Sequence, residues 1–153
     1  MHTLDDTDRR ILRALQTDPQ LSTAALAERA GLSPSPCWRR LERMEDAGVI
    51  AGRVIEVDLR KLGYTVQVFL RVRLDKTEAG AFQEFVAAAR KLPEILAIQT
   101  LLGRVDIRMD VVARDLDHYQ ELLKTQILDL PHIADIEALL LVSELKNDEW
   151  LPI

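Results

Sequence analysis

The apolar positions change period once along the chain, and the change divides it in two. Up to Val49 they recur at helical spacing: Ile11, Leu12 and Leu15 follow Asp5; Leu26, Ala27 and Ala30 follow Ser22; Cys37, Leu41 and Met44 follow Ser33. Each set lies on one face of a helix. The punctuation agrees. Asp18-Pro19 ends the first helix, and Gly31 suits a left-handed residue just past the second. Ser33 caps the third, and Pro34 takes its first position, where a missing N–H leaves nothing unsatisfied. Asp5 and Asp8 put carboxylates at the start of the first helix, where free N–H groups and the dipole favour them. The third helix is expected to run to about Ala47 and to stop at Gly48.

Val49-Ile50 and Val54-Ile55-Glu56-Val57 bracket Ala51-Gly52-Arg53 and predict a small hairpin, a wing, behind the third helix. Three helices, the last two joined through a tight Gly31-Leu32 turn, are the layout of a helix-turn-helix. A plain three-helix bundle used for interaction shares the pattern, but the charge on its third helix weighs against it.

After Gly63 the period becomes two. Val66, Val68, Leu70, Val72 and Leu74 alternate with Gln67, Phe69, Arg71 and Arg73, which predicts a strand over Thr65 to Leu74. A helix is expected from Thr77 to Leu92, with Phe82, Phe85, Val86 and Ala89 inward. Strands follow at Ile95 to Leu102 and Ile107 to Ala113, joined by a turn at Gly103-Arg104-Val105-Asp106. A helix from Asp115 to Leu130 and a strand from Ile133 to Leu145 complete the pattern. The order is the ferredoxin-like βαββαβ of an α+β domain. The expected division is residues 1–63, a winged helix-turn-helix with its linker, and residues 64–153, a ferredoxin-like domain.

Two helices cover one face of a four-stranded sheet. Yet Ile95-Leu96-Ala97-Ile98 and Leu139-Leu140-Leu141-Val142 are apolar at both parities, so the second face also needs cover. A second copy of the chain is the economical answer. The alternative is the tail folding back through Trp150 and Leu151.

Charge separates the halves further. The net charge is −5, yet residues 1–63 hold ten Lys/Arg and ten Asp/Glu; the excess acid lies in residues 64–153. Arg39, Arg40 and Arg43 crowd the third helix. With Cys37, Leu41 and Met44 inward, Arg39 points most directly outward, with Ser35, Pro36, Glu42 and Arg43 beside it; Trp38 and Arg40 flank the core stripe. Arginine can read guanine bidentately, serine can bond base edges or phosphate, and cations neutralise phosphates. Arg39 is therefore expected to read bases, and Arg43 and Arg53 to meet phosphate. Cys37, the one cysteine of the 153-residue chain, excludes an internal disulfide and a Cys-rich zinc site. Its place in the core stripe makes it an inert thiol. No apolar leader and no apolar run long enough to span a membrane is present, so a cytoplasmic protein is expected.

Leu4-Asp5-x-x-Asp8-x-x-Ile11-Leu12, Ala25-Leu26-Ala27 and Gly31-Leu32-Ser33-Pro34-Ser35-Pro36-Cys37-Trp38-Arg39-Arg40-Leu41-x-Arg43-Met44-Glu45-x-x-Gly48-Val49-Ile50 closely resemble the Lrp/AsnC family of transcriptional regulators. The likeness continues through Leu62-Gly63, Gly103-x-x-Asp106, Tyr119, Leu130-Pro131 and Val142-x-Glu144-x-Lys146, over essentially the whole chain. The resemblance implies a sequence-specific regulator whose first domain binds double-stranded DNA through Ser33, Ser35, Pro36, Trp38, Arg39, Arg40, Arg43 and Arg53. It implies a second domain that dimerises through its sheet, assembles further, often to octamers, and senses an amino acid between dimers. The effector would meet Gly103, Arg104, Val105 and Asp106 and the facing last strand at Ile136 and Ala138. The family commonly has an aromatic residue where Val105 stands, and often Thr or Ser where Ile136 and Ala138 stand. This lining favours a small apolar amino acid such as leucine or methionine. No cofactor or metal is expected.

Two other readings share parts of this pattern. Siroheme decarboxylases have a similar architecture, but His2, His118 and His132 lack neighbours at useful spacing, and the arginine-rich helix is unexplained by such an enzyme. A nucleoid-type, DNA-organising protein with little sequence preference would use the same phosphate contacts. The ratio of specific to non-specific affinity at fixed salt separates it from a regulator.

Overall fold

The computed structural model describes residues 3–146 and 151–153. Three helices form where the spacing places them: α1 (Asp6–Thr17), α2 (Thr23–Ala30) and α3 (Pro34–Asp46). Asp5 and Asp8 close a reciprocal capping box on α1, with Asp8 N–H donating to Asp5 Oδ1 at 2.8 Å and Asp5 N–H to Asp8 Oδ2 at 3.2 Å. Ser22 Oγ accepts from Ala25 N–H at the start of α2. Gly31 ends α2 at φ 70°, a conformation a side chain would strain. Leu32 N–H then reaches back to Ala27 O at 2.8 Å, so the turn into α3 is tight. Ser33 holds the cap position of α3, but its side chain makes no capping bond; Pro34 alone sets that end. Ile11, Leu26, Ala27, Ala30, Cys37, Leu41 and Met44 bury together as the core of this unit.

The expected wing hairpin does not form within the chain. No strand lies between Val49 and Val57. The reason is where the amides go: Val49 and Ile50 N–H both donate to Met44 O, at 2.9 and 3.2 Å, and finish α3 instead of starting a ladder. Ile50 packs on the core, while Val54 and Ile55 stand 89% and 91% exposed.

The chain forms two compact units, and their division falls at Glu56/Val57, ahead of the Gly63 expected from the change of period. Residues 59–63 are a run of turns, closed by Leu62 N–H on Asp58 O and Tyr64 N–H on Leu59 O. They group with the second unit. The end of the chain returns to the first. Leu151 N–H donates to Gln16 Oε1 at 2.6 Å, Gln16 Nε2 to Leu151 O, and Arg13 Nε to Ile153 O. Leu151 and Ile153 line an apolar groove with Leu4, Leu12, Leu15 and Ile50. Leu151 is thus spent on α1, not on the open sheet face; Trp150 lies outside the described residues.

The second unit is one antiparallel sheet with helices on one side. Its elements are β1 (Val66–Leu74), α4 (Ala81–Ala89), β2 (Ile95–Thr100), β3 (Ile107–Ala113), α5 (Leu116–Leu122) running on as a π-helical turn over Leu123–Ile127, and β4 (Ile133–Leu140). The strand order β2-β3-β1-β4 is the ferredoxin-like one. β1 pairs with β3 from Val66↔Ala113 to Val72↔Ile107, and with β4 from Val68↔Leu140 to Leu74↔Ile133. Val68, Leu70 and Val72, with Ile107, Met109 and Val111, face Phe85, Ala89, Leu122 and Ile127. Several expected spans are shorter: β2 ends at Thr100 rather than Leu102, and the last helix runs over residues 116–127 rather than Asp115 to Leu130. α4 begins only after Gly80, whose φ of 95° interrupts a right-handed helix, and β4 ends at Leu140. Phe82, expected inward, is 40% exposed beside Ile95 and Leu96.

The opposite sheet face lies open in the chain. Its centre is less apolar than the leucine runs imply: Arg108 lies 4.4 Å over the Phe69 ring and Arg71 pairs with Glu137 at 3.2 Å. Leu96 and Leu139 remain exposed at the edges. Among the described residues, no helix is long and apolar enough to cross a membrane.

The tail contact is testable. Deleting Leu151–Ile153 removes the Gln16 bonds and part of the cover over Leu12 and Leu15. The first unit should lose about 1–2 kcal/mol. Denaturant melts of the full and shortened chains measure this; coincident curves would show that the tail adds nothing.

Candidate functional site

The site is built on α3, because its inner and outer faces are set by packing. Cys37, Leu41 and Met44 are buried against α1 and α2, and burial pushes the Cys37 thiol up, away from a reactive thiolate. Ser33, Ser35, Trp38, Arg39 and Arg43 are exposed, and Pro36 and Arg40 are half-buried. Trp38 keeps half of its surface in solvent. Arg39 makes no ion pair with any described residue.

The other two arginines of the helix are held by α1. Arg40 Nη1 donates to Asp5 Oδ2 at 2.7 Å and to Asp8 Oδ1 at 2.8 Å. Arg43 Nη2 donates to both Asp8 oxygens, at 3.2 and 3.0 Å. Arg53, beyond the end of α3, lies 3.9 Å from Glu45. The arrangement therefore differs from the expected row of free cations. Arg39 is free, Arg40 and Arg43 are engaged, and Arg53 is loosely paired. Asp5 and Asp8 read in sequence only as caps; their second task depends on a residue more than thirty positions away, which periodicity cannot show.

The residues expected to hold an effector divide between two faces. Arg104 and Val105 line a cleft of about 400 Å³ with Arg71, Arg73, Asp135 and Glu137. Arg73 and Asp135 stand 3.9 Å apart, and Arg104 has no ion pair among the described residues. Ile136 and Ala138 do not join this cleft. They register against Val72 and Leu70, whose side chains lie on the helix side of the sheet. The cleft is thus lined mainly by charge, with Val105 its apolar member. Asp106 is committed elsewhere: Oδ2 accepts Leu74 N–H at 2.9 Å and Oδ1 lies 2.5 Å from Lys76 Nζ. The Lys76 ammonium and that N–H hold its carboxyl below the ordinary value. Gly103 turns the chain ahead of it. The alternation that assigns Arg71 and Arg73 to the outer face of β1, with Asp135 and Glu137 opposite, was the signal for the four cleft residues that sequence reasoning missed.

His118 Nδ1 accepts Arg114 N–H, and His132 Nε2 lies 2.8 Å from Glu84 Oε2. No His, Cys, Asp and Glu group among the described residues could hold a metal ion.

Residues 4–51 match the family model for winged helix-turn-helix DNA-binding, and residues 67–151 match the Lrp/AsnC ligand binding domain. The chain belongs to the Lrp/AsnC family. It is a DNA-binding transcriptional regulator with an amino-acid ligand-binding domain. It is 33% identical over 150 residues to the DNA-binding transcriptional activator DecR of Escherichia coli K12, covering 98% of this chain and 99% of that protein. It is also 33% identical over 150 residues to the leucine-responsive regulatory protein of the same strain, covering 98% and 92%. Among solved structures, a transcriptional regulator of Neisseria meningitidis in complex with L-Met superposes with a TM-score of 0.92 at 33% identity, over 98% of this chain and 97% of that one. Escherichia coli AsnC superposes with a TM-score of 0.86 at 29% identity, over 95% and 97%. In this Lrp/AsnC chain the DNA-binding match falls in the first unit, and the ligand-binding match falls in the second as far as Lys146.

The Asp5 carboxyl is lowered from 3.8 to about 2, first by the Asp8 N–H and then by the Arg40 guanidinium. A folded-state value below the unfolded one gives stability that is complete above pH 3.8 and lost as pH falls toward 2. An Asp5→Asn chain, which keeps a good cap, should lose less stability over that window than the parent. Parallel acid melts of the two chains would contradict the role given to Asp5.

Proposed function

We propose that this regulator is a two-fold dimer that reads a roughly palindromic DNA site with α3 and responds to a small amino acid. Arg39 reads a base edge; Ser33, Ser35, Pro36 and Trp38 meet DNA beside it, and Arg53 reaches flanking phosphate. The observation that carries the reading is the bare outer face of α3, with an unpaired arginine beside exposed serines on a helix whose other face is locked in a core. Two recognition helices related by a two-fold axis require half-sites about one helical turn, or a multiple, apart. A second copy on the open sheet face accounts for the exposed Leu96 and Leu139. The even charge of residues 1–63 disfavours a purely phosphate-driven, nucleoid-type binder.

The effector is proposed at the Gly103–Asp106 turn. The cleft beside it offers guanidinium groups to an α-carboxylate and Asp135 and Glu137 to an α-ammonium. Val105 is the neighbour for an apolar side chain. A relative of known structure was solved with L-Met, which fits the same preference. With Asp106 held by Leu74 and Lys76, the ammonium falls to the β4 carboxylates instead.

Two experiments test this. A duplex selected by the protein from a random pool should bind at least tenfold tighter than a scrambled duplex, and Arg39→Ala should lower that preference by about 1–3 kcal/mol. Equal losses on both duplexes would remove Arg39 from base reading. In calorimetry, leucine or methionine should bind better than asparagine or lysine. Binding of asparagine or lysine alone would overturn the apolar preference, and no binding at millimolar concentration would overturn the ligand site.

A further inference from the structure

Asp8 is the one charged side chain among the described residues with no exposed surface. A buried carboxylate is tolerated only where its lone pairs are met, and breaking such a set strands a charge away from water. Here the Asp5 N–H, Arg40 Nη1 and Arg43 Nη2 converge on it at 2.8 to 3.2 Å. Arg40 is gripped a second time by Asp5. Two carboxylates at the start of α1 therefore already accept hydrogen bonds from these two guanidinium groups.

The same pairing bears on DNA reading. Non-specific affinity scales with the number of cations free to neutralise phosphate and release counterions. On α3, two of three arginines are occupied by the protein itself, and Arg39, in the sector opposite the buried stripe, is left over. From this geometry we infer that Asp8 is a specificity-determining positioning residue. It fixes α3 against α1 through Arg40 and Arg43 and withholds both arginines from the phosphate backbone, so that the helix offers DNA one free, base-directed cation. The inference rests on the reading of α3 as the DNA-contacting helix and assigns a role to a residue that never touches DNA.

The test uses the full chain, a duplex selected by the parent from a random pool, and a scrambled duplex of the same composition. Salt series by fluorescence anisotropy give affinity and slope on each. If the parent shows no preference for the selected duplex, the α3 reading itself fails. Given that preference, Asp8→Asn should bind scrambled DNA several-fold tighter. Its salt slope should steepen by about 0.9 for each arginine released to phosphate, and its preference for the selected duplex should fall. A slope on scrambled DNA that is unchanged or shallower overturns the inference, because lost packing alone weakens binding without adding cations. Arg43→Gln, which leaves Asp8 its Arg40 partner, decides the matter if Asp8→Asn does not fold. An arginine already withheld should leave the scrambled-DNA slope unchanged when removed. A slope shallower by about 0.9 would show that Arg43 contacts phosphate in the parent.

Discussion

A carboxylate buried at the start of α1 ties the first unit together. Asp8 satisfies an N–H that α1 leaves free, and it anchors two arginines of α3. The apolar stripe of Cys37, Leu41 and Met44 supplies cohesion, but apolar packing is non-directional and permits sliding. Fixed donor and acceptor geometry does not. The buried stripe fixes which face of α3 is turned inward, and the two guanidinium contacts add directional ties to α1 at its flank. The bare Arg39 is the complement of the same arrangement.

The second unit obeys a different constraint, the pleat. Because side chains alternate, every inward Val or Leu of β1 obliges a neighbour to face outward. That parity puts Arg71 and Arg73 opposite Glu137 and Asp135 and makes a charged cleft beside the β2–β3 turn. It also excludes Ile136 and Ala138 from the cleft within one chain. Exposed leucines on both edge strands coexist with this polar centre, so the face combines apolar edges with a charged middle.

Most of the architecture was legible in sequence because it rests on local signals. Capping residues, Gly31, Pro34 and two hydrophobic periods locate the helices and strands, and the order of elements then leaves few topologies. What escaped was non-local. The hairpin expected at Val49 to Val57 failed because Met44 O takes the two amides it needed. The unit boundary moved because the turns after Asp58 group with the sheet unit rather than with the helices. Arg40 and Arg43 looked like free cations because their partners lie more than thirty residues earlier. In the effector region, turn residues were legible, but which face of β4 a residue occupies depends on register with β1, and a one-residue difference reverses it.

The central claim is that α3 meets DNA with Arg39 free while Arg40 and Arg43 stay bound to α1. A crystal structure of the chain on its selected duplex tests it most directly. The account predicts an Arg39 guanidinium nitrogen about 2.7–3.2 Å from a base-edge acceptor, with Arg40 and Arg43 still on Asp8. Arg43 turned away from Asp8 and bonded to a phosphate, with Arg39 left in solvent, would contradict it.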